Sequence, residues 1–144
     1  MQIYGGGWDT ELSGIWVGKY ESARSDAEGT NPGTSTKIKV QPNVASWRSI
    51  TIGDAYTNSL NYSQDLKSHM LKNSEWGAVA YLTHSKYGRN GTEVTINNNS
   101  NYLTGNSGDS ISAGTSATTN EYNTDKGVLA SSTGNVYGIY DISG

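Results

Sequence analysis

The sequence predicts one loop-rich α+β domain that is built from short strands and about two helices. Ser, Thr, Asn and Gly make up 66 of its 144 residues, and these residue types favour turns and left-handed backbone angles. Phe is absent, so four Trp and ten Tyr must supply most of the large apolar surface. Each of these side chains carries a polar group that needs a partner when it is buried, so we expect a core with many hydrogen bonds. The length fits a single domain over residues 1–144, because domains of ~100–150 residues are the commonest.

Two segments have the spacing of apolar residues that is typical of helices. The first is Ile50–Leu60, where Thr51 is a candidate N-cap residue. The second is Asn73–Lys86, whose first residue is the expected N-cap. Gly88 follows it, as Gly often does just beyond a helix C-terminus.

The strands are expected to be short and separated by turns. The clearest is Lys37–Val40, where charged and apolar residues alternate as they do in a half-buried strand. We also expect strands at 12–20, 93–96 and 128–130, and a buried segment at 136–142. Four aromatic residues are assigned to the core, namely Trp47, Trp76, Tyr137 and Tyr140.

Residues 97–121 are almost entirely polar or small. Loops of this length inside a domain are either functional or mobile, and binding residues are often located on loops. We therefore predict a ligand-binding surface here, with a mobile solvated loop as the alternative. The candidate ligand-binding residues are Asn97, Asn99, Asn101, Tyr102 and Tyr122.

The composition argues against several classes of protein. The net charge is -3 and the Lys and Arg residues are scattered, so we expect no nucleic-acid partner. No apolar run approaches the ~20 residues that span a bilayer, so no membrane insertion is expected, and residues 1–7 do not have the pattern of a signal peptide. Cys is absent, which excludes thiolate nucleophiles and Cys-bound metals. The two His residues have no metal-ligand spacing, no G-x-S-x-G motif occurs, and we expect no enzymatic activity.

A few oxygen-bearing side chains near turns are candidate calcium ligands. Asn123, Asp125 and Asp141 offer the hard oxygen atoms that calcium prefers. Residues 123–127 look superficially like a calcium loop but lack the other acidic positions and the closing Glu of an EF-hand. An ordinary turn stabilised by Asn or Asp side chains is the alternative. The sequence therefore predicts no cofactor other than calcium as a candidate.

Four segments, in order along the chain, resemble the formylglycine-generating-enzyme-like domain, also called the sulfatase-modifying-factor domain. They are Gly18–Glu21, Pro42–Trp47, Leu71–Ala80 and Gly134–Gly144. The last of them, G-N-V-Y-G-I-Y-D-I-S-G, is similar to the most specific motif of that family, P-N-x-F-G-L-Y-D-M-S-G. The resemblance implies a C-type-lectin-like fold of the formylglycine-generating-enzyme type. It also implies that residues 1–144 are the N-terminal two-thirds of such a domain, because the later family motifs N-V-W-E-W and R-G-G-S-W do not follow.

The resemblance also bears on function. The cysteine pair of the family's enzymes is absent, and the chain is similar to a non-catalytic subgroup in surface and prepilin-type proteins of Gram-positive bacteria. This implies an extracellular or cell-surface module for adhesion or binding, in a bacterial surface, pilin-like or phage protein, with a protein or glycan ligand. Family calcium sites match Asp141 and Gly144, and Asn123 resembles a ligand of a second family site.

An incomplete sheet has a physical consequence of its own. A sheet without its later strands presents an edge of unpaired N–H and C=O groups, which a partner chain can complete by adding a strand. We therefore expect a homo-oligomer or a strand-donating partner. Two other functions stay open, namely a self-assembling filament subunit and a degenerate member of the superfamily with altered activity.

Overall fold

The computed structural model describes residues 13–27, 31–97, 102–107 and 120–143. Over these residues the chain is a small α+β protein with two helices and a two-stranded antiparallel sheet, which confirms the predicted fold class at this level. The sheet consists of β1 (Ser22–Arg24) and β2 (Ile38–Val40), and the helices are α1 (Ile52–Asn61) and α2 (Asn73–His84). A single turn of 3-10 helix spans Gly127–Ala130.

Helix α1 confirms the prediction for Ile50–Leu60. Thr51 is its N-cap residue, as predicted, and the Thr51 hydroxyl accepts a hydrogen bond from the Asp54 N–H group at 3.1 Å. This bond satisfies one of the N–H groups that a helix leaves without a partner in its first turn. The Asp54 carboxylate lies in that turn, where the helix dipole favours a negative charge.

Helix α2 begins at Asn73, as predicted, but its N-cap residue is Lys72 and not Asn73. A side chain of the first helical turn forms the cap, because the Glu75 carboxylate accepts a hydrogen bond from the Lys72 N–H group at 2.9 Å. The helix ends at His84, two residues before the predicted end, because the Ser85 hydroxyl and N–H both donate to the carbonyl of Leu82 and Ser85 is extended.

The strand predictions succeed only in part. Lys37–Val40 contains β2, which pairs with β1 in the register Ser22 with Val40 and Arg24 with Ile38. Residues 13–20, 93–96 and 128–130 contain no strand, and the last of these segments is the 3-10 helix. Their short apolar runs are present, but a run becomes a strand only where another segment lies beside it to complete the hydrogen bonds. Trp16 is fully exposed, at 100% of its surface.

The core is small and depends on tyrosine. Tyr20, Ala130 and Tyr140 are buried together, with Val40 and Tyr122 packed against them. The rings of Tyr20 and Tyr140 stack with their centroids 5.3 Å apart, and Tyr122 packs edge-on against both, at 5.7 Å and 6.1 Å. Such pairs contribute about 0.5–1.5 kcal/mol beyond the burial of their area.

The prediction of four core aromatic residues holds fully for Tyr140, which is 2% exposed. Trp47 is half-buried, and its indole N–H donates to the Gly33 carbonyl at 2.6 Å. The assignments of Trp76 and Tyr137 to the core are wrong, because these side chains are 45% and 86% exposed. Helix α2 buries Glu75, Val79 and Thr83, whereas the Trp76 indole N–H reaches the Ile142 carbonyl at 3.1 Å with much of its ring exposed. Within 136–142 only Gly138 and Tyr140 are fully buried.

Polar residues fill much of the interior, as the composition predicts. Among the residues that the structure describes, eleven buried ones are polar or charged and seven are hydrophobic. Thr104, for example, is fully buried, and its hydroxyl donates to the Gln41 carbonyl at 2.7 Å. Asn58 donates in the same way to the Ser35 carbonyl, also at 2.7 Å. Directional hydrogen bonds between distant segments therefore hold the described part of the chain together.

Candidate functional site

Four chain segments meet at Asp141, and we call Glu21, Asn97, Gly105 and Asp141 the Asp141 junction. The Asp141 carboxylate accepts hydrogen bonds from the Gly105 N–H at 2.8 Å and from the Asn97 side-chain amide at 2.7 Å. The same amide donates to the Asn106 carbonyl at 2.9 Å. Asn97 and Asp141, which the sequence proposes separately as ligand-binding and metal-binding residues, are therefore in direct contact.

Two carboxyl groups with raised pKa values lie at this junction. Burial raises the pKa of Asp141, and the hydrogen bonds from Gly105 and Asn97 partly oppose that rise. Although Glu21 is exposed as a residue, burial of its carboxyl group raises the pKa to about 7; the negative charge of Asp141 adds to the rise and a hydrogen bond with Ser46 lowers it. Paired carboxyl groups of this kind occur in catalytic sites and also in structural networks.

Asp141 has an unusual backbone conformation for a residue with a side chain. Its φ is 59°, in the left-handed region that Asp and Asn enter more readily than other residues except Gly. The segment is held there from both sides, because the Tyr140 N–H donates to Lys19 and the Ser143 carbonyl accepts from Asn97. The surrounding structure therefore determines where the carboxylate points.

The other candidate metal ligands are located elsewhere on the surface. Asn123 and Asp125 are exposed, on the turn that leads into the 3-10 helix. Both oxygens of the Asp141 carboxylate already accept hydrogen bonds. In the described part of the chain, no group of three or more His, Asp or Glu side chains could hold a metal ion. Calcium binding therefore remains a prediction from the sequence.

Tyr122, a predicted ligand-binding residue, packs beside the core. Its carbonyl accepts a hydrogen bond from the Tyr140 hydroxyl at 2.5 Å. The Lys19 ammonium lies 5.6 Å, 6.0 Å and 5.9 Å from the ring centroids of Tyr20, Tyr122 and Tyr140, within the range of cation–π attraction. Burial raises the pKa of Tyr20 to about 12, with further contributions from its tyrosine and aspartate neighbours. Tyr20 and Tyr122 lie close against Gly105, so this cluster borders the Asp141 junction.

Tyr102 is the predicted ligand-binding residue that is most accessible among those described. It is half-exposed, and its φ is 58°. The Arg48 guanidinium lies 4.6 Å from its ring centroid, so a cation–π contact covers one face of the ring. Asn99 and Asn101 lie outside the described residues.

The sequence does not identify a groove between the end of α2 and residues 132–139, which we call the Tyr87–Tyr137 groove. It encloses about 290 Å³. Tyr87 and Tyr137 are 76% and 86% exposed, and hydroxyl groups of three other residues share the lining, namely Thr83, Ser132 and Thr133. A side chain at Gly138 would collide with the Ser131 hydroxyl. The backbone therefore passes close to the interior at Gly138, while Tyr137 beside it is exposed.

A second groove lies between α1 and residues 64–72, and we call it the α1 groove. It encloses about 590 Å³. Its apolar lining is Tyr56, Leu60, Met70 and Leu71, and its polar and charged lining is Gln64, Lys67, Ser68, His69 and Lys72. No motif in the sequence identifies it, because its residues come from a helix face and from an irregular segment that has no periodic pattern.

His69 lines this groove, and both of its ring nitrogens lie within hydrogen-bond distance of acceptors. Its Nδ1 atom lies 2.9 Å from the Lys67 carbonyl, and its Nε2 atom lies 2.9 Å from a Glu75 carboxylate oxygen. Both partners are acceptors, so only the doubly protonated imidazolium can donate to both. The hydrogen bond with Lys67 and then that with Glu75 raise the pKa of His69. Burial acts to raise the pKa of Glu75, but its hydrogen bonds with Lys72 and His69 outweigh this and lower it.

Comparison with known proteins adds no relative: no family model, no curated protein and no solved structure matches this chain. No helix among the described residues is long and apolar enough to cross a bilayer.

Proposed function

We propose that this chain is a non-enzymatic, extracellular binding module of a bacterial surface, pilin-like or phage protein, and that it binds a protein or a glycan. The observation that carries the proposal is the distribution of apolar side chains among the described residues. Seventeen large hydrophobic side chains are more than a third exposed, whereas the core has seven hydrophobic residues and three of these are Ala. Large exposed apolar surface that is rimmed by polar groups is typical of interaction sites.

Seven of the seventeen exposed side chains line the two grooves. Tyr87 and Tyr137 stand beside hydroxyl groups, a combination of rigid aromatic contacts and adaptable hydrogen bonds that occurs in recognition surfaces. The resemblance to the formylglycine-generating-enzyme-like domain supports a C-type-lectin-like fold. The absence of Cys supports a role without catalysis, because the enzymes of that family use a cysteine pair. The Glu21–Asp141 carboxyl pair is not part of the lining of either groove, so we assign it to the structure.

Immobilised chain, presented with an array of glycans and with extracts of bacterial and host surface proteins, tests this proposal. We expect retention of at least one ligand class, and weaker retention by the double variant Tyr87→Ser and Tyr137→Ser. Tyr81→Ser is the matched control, because Tyr81 is an exposed tyrosine of α2 outside the lining of either groove. If the wild-type chain retained no glycan of the array and no protein of the extracts, this result would contradict a binding function.

A filament subunit is the second candidate function. The two described strands have three residues each and pair with one another. The Ser22 carbonyl of β1 also accepts a hydrogen bond from the Trp47 N–H at 2.9 Å, so the outer edge of β2 is the candidate for strand addition. Light scattering against concentration, with electron microscopy of the most concentrated sample, separates this candidate from the first. Filaments would support it, and a monodisperse monomer at every concentration would exclude it.

A further inference from the structure

The α1 groove combines apolar walls with cationic charge. Tyr56, Leu60, Met70 and Leu71 line it and are all partly exposed, between 39% and 53%. Of these, Met is the side chain that adapts best to partners of different shape. The groove therefore offers apolar surface that remains uncovered in the described part of the molecule.

Every charged residue that lines this groove is basic or protonatable. They are Lys67, His69 and Lys72, in a chain whose net charge is -3. Glu75 is buried outside the lining, and its carboxylate is hydrogen-bonded to His69. The charge of the groove lining is thus opposite in sign to that of the whole molecule. An acidic partner is favoured here and a basic one is disfavoured.

The segment that carries these cations is fixed in place. The Ser68 hydroxyl donates to the Ser59 carbonyl of α1 at 2.7 Å and accepts from the Ser63 N–H at 2.8 Å. Lys67 has a φ of 52°, a left-handed conformation that persists in a non-Gly residue only when the surrounding structure determines it. A groove that is formed before binding loses less conformational entropy when a partner enters.

The shape of the groove favours a protein as the occupant. Its apolar walls are open to solvent on one side, as their exposure shows. A small ligand normally needs about 70–90% of its own surface buried, whereas a side chain that projects from another protein is covered on its far side by that protein.

We propose that the α1 groove binds a segment of another protein that presents an aliphatic or aromatic side chain flanked by Asp or Glu. This inference rests on the proposed binding function and names the partner chemistry for one of the two grooves. The apolar side chain contacts Leu60 and Met70, and the flanking carboxylates lie against Lys67 and Lys72.

Selection of a phage-displayed library of random linear peptides against the immobilised chain tests the inference. We expect the enriched peptides to carry Asp or Glu next to Leu, Phe or Trp, with fewer Lys and Arg than the starting library. The affinity of a synthetic enriched peptide, measured by fluorescence anisotropy, should fall with added salt because screening weakens exposed charge pairs.

Variants of the groove lining, compared with a control of equal charge, locate the binding site. Lys67→Glu with Lys72→Glu should raise the Kd of that peptide by roughly tenfold or more, and Leu60→Ser should do the same. Lys37→Glu with Lys126→Glu is the control, because it makes the same change in net charge at exposed lysines outside the groove lining. Circular dichroism verifies that each variant is folded.

The outcomes separate this inference from the proposed function. An acidic peptide that loses affinity in the Lys67 and Lys72 variant and in Leu60→Ser, but not in the Lys37 and Lys126 control, supports the inference. No enrichment, enrichment without an acidic excess, or equal losses in both double variants overturns it. Self-association of the chain that the Lys67 and Lys72 variant abolishes would identify a second copy as the occupant, and would overturn the assignment to another protein. Peptides whose binding depends on Tyr137 instead would leave the binding function standing and remove the α1 groove from it.

Discussion

Replacement of Asp141 by Asn isolates the hydrogen bonds of the Asp141 junction from its backbone strain. The side chains have nearly the same size, and Asn tolerates the left-handed region as Asp does, so the φ of 59° at this position does not oppose the change. What does change is the number of acceptors: the carboxylate accepts one N–H from Gly105 and one from Asn97, at 2.8 Å and 2.7 Å. An amide has a single acceptor oxygen.

The structure leaves the variant no way to keep both hydrogen bonds. In either orientation of the new amide, its NH₂ group faces one of the two N–H donors. Rotation of Asn97 does not help, because its NH₂ group also donates to the Asn106 carbonyl at 2.9 Å and a flipped amide would place two oxygens together. A hydrogen bond to a charged group contributes about 1.5–3 kcal/mol. Removal of the buried charge, whose burial raises the pKa of Asp141, and of its repulsion with Glu21 offsets part of this, so we expect a loss of about 0.5–1.5 kcal/mol in the free energy of unfolding.

Thermal and urea unfolding, followed by far-UV circular dichroism at about pH 8, measures the effect. A loss of this size lowers the Tm by roughly 2–4 °C per kcal/mol for a chain of about this length. Glu21→Gln is the matched control, because it also removes one carboxylate from the junction but leaves both hydrogen bonds of Asp141 intact.

The effect of the control substitution Glu21→Gln on the free energy of unfolding can also be predicted. The pKa of Glu21 is raised from its usual 4.5 to about 7, so the folded state binds more protons than the unfolded state between these values. The stability that Glu21 contributes is therefore present below about pH 4.5 and is lost as the pH rises through about 7. Gln does not titrate, so we expect Glu21→Gln to be at least as stable as the wild type at about pH 8. Equal destabilisation by both substitutions, or none by Asp141→Asn, would refute the reasoning.

Three further predictions concern the core, the helix cap and the charged histidine. Tyr140→Phe should cost about 1–2 kcal/mol, because it leaves a main-chain carbonyl without its donor, and exposed Tyr137→Phe should change the free energy of unfolding by less than about 0.5 kcal/mol; urea unfolding that gave equal values would contradict this. Thr51→Ala should lower stability by roughly 0.5–2 kcal/mol through loss of the α1 cap, and an unchanged Tm would show that the cap is unimportant. The raised pKa of His69 means that its stabilisation is present below about pH 6.5 and is lost as the pH rises through the folded value. His69→Gln should therefore lower the Tm at acidic pH, and the two Tm curves should converge at alkaline pH, unless the ion pair with Glu75 contributes nothing.

Local signals in the sequence were sufficient to predict the two helices and strand β2, but they did not predict how the segments pack together. Helix α1 and its Thr51 cap could be predicted because periodicity and capping depend on residues a few positions apart. The cap of α2 was placed one residue too late, because Asn73 is the better cap by residue type whereas Glu75 supplies the acceptor in the structure. The register of β1 with β2, in contrast, depends on a pairing across the intervening loop, which composition does not specify.

The candidate site shows the same limit. Asn97 and Asp141 were each identified by residue type, but 44 positions separate them and only the folded chain shows that they touch. Tyr137 and Tyr140 occupy one apolar-rich segment and could not be told apart, although one is exposed and the other buried. The grooves were missed because their walls combine distant segments, and exposed tyrosine and leucine have the same sequence signature as buried ones.

The polar interior has a consequence for how the protein responds to temperature. Exposure of apolar surface raises the heat capacity of unfolding by about 0.45 cal/mol/K per Å², whereas exposure of polar surface lowers it by about 0.26. Because buried polar residues outnumber buried hydrophobic ones in the described part of the chain, we expect a heat-capacity change below the usual ~12–15 cal/mol/K per residue. The curve of stability against temperature is correspondingly less curved, and scanning calorimetry would record only a small difference in heat capacity between the folded and the unfolded baselines.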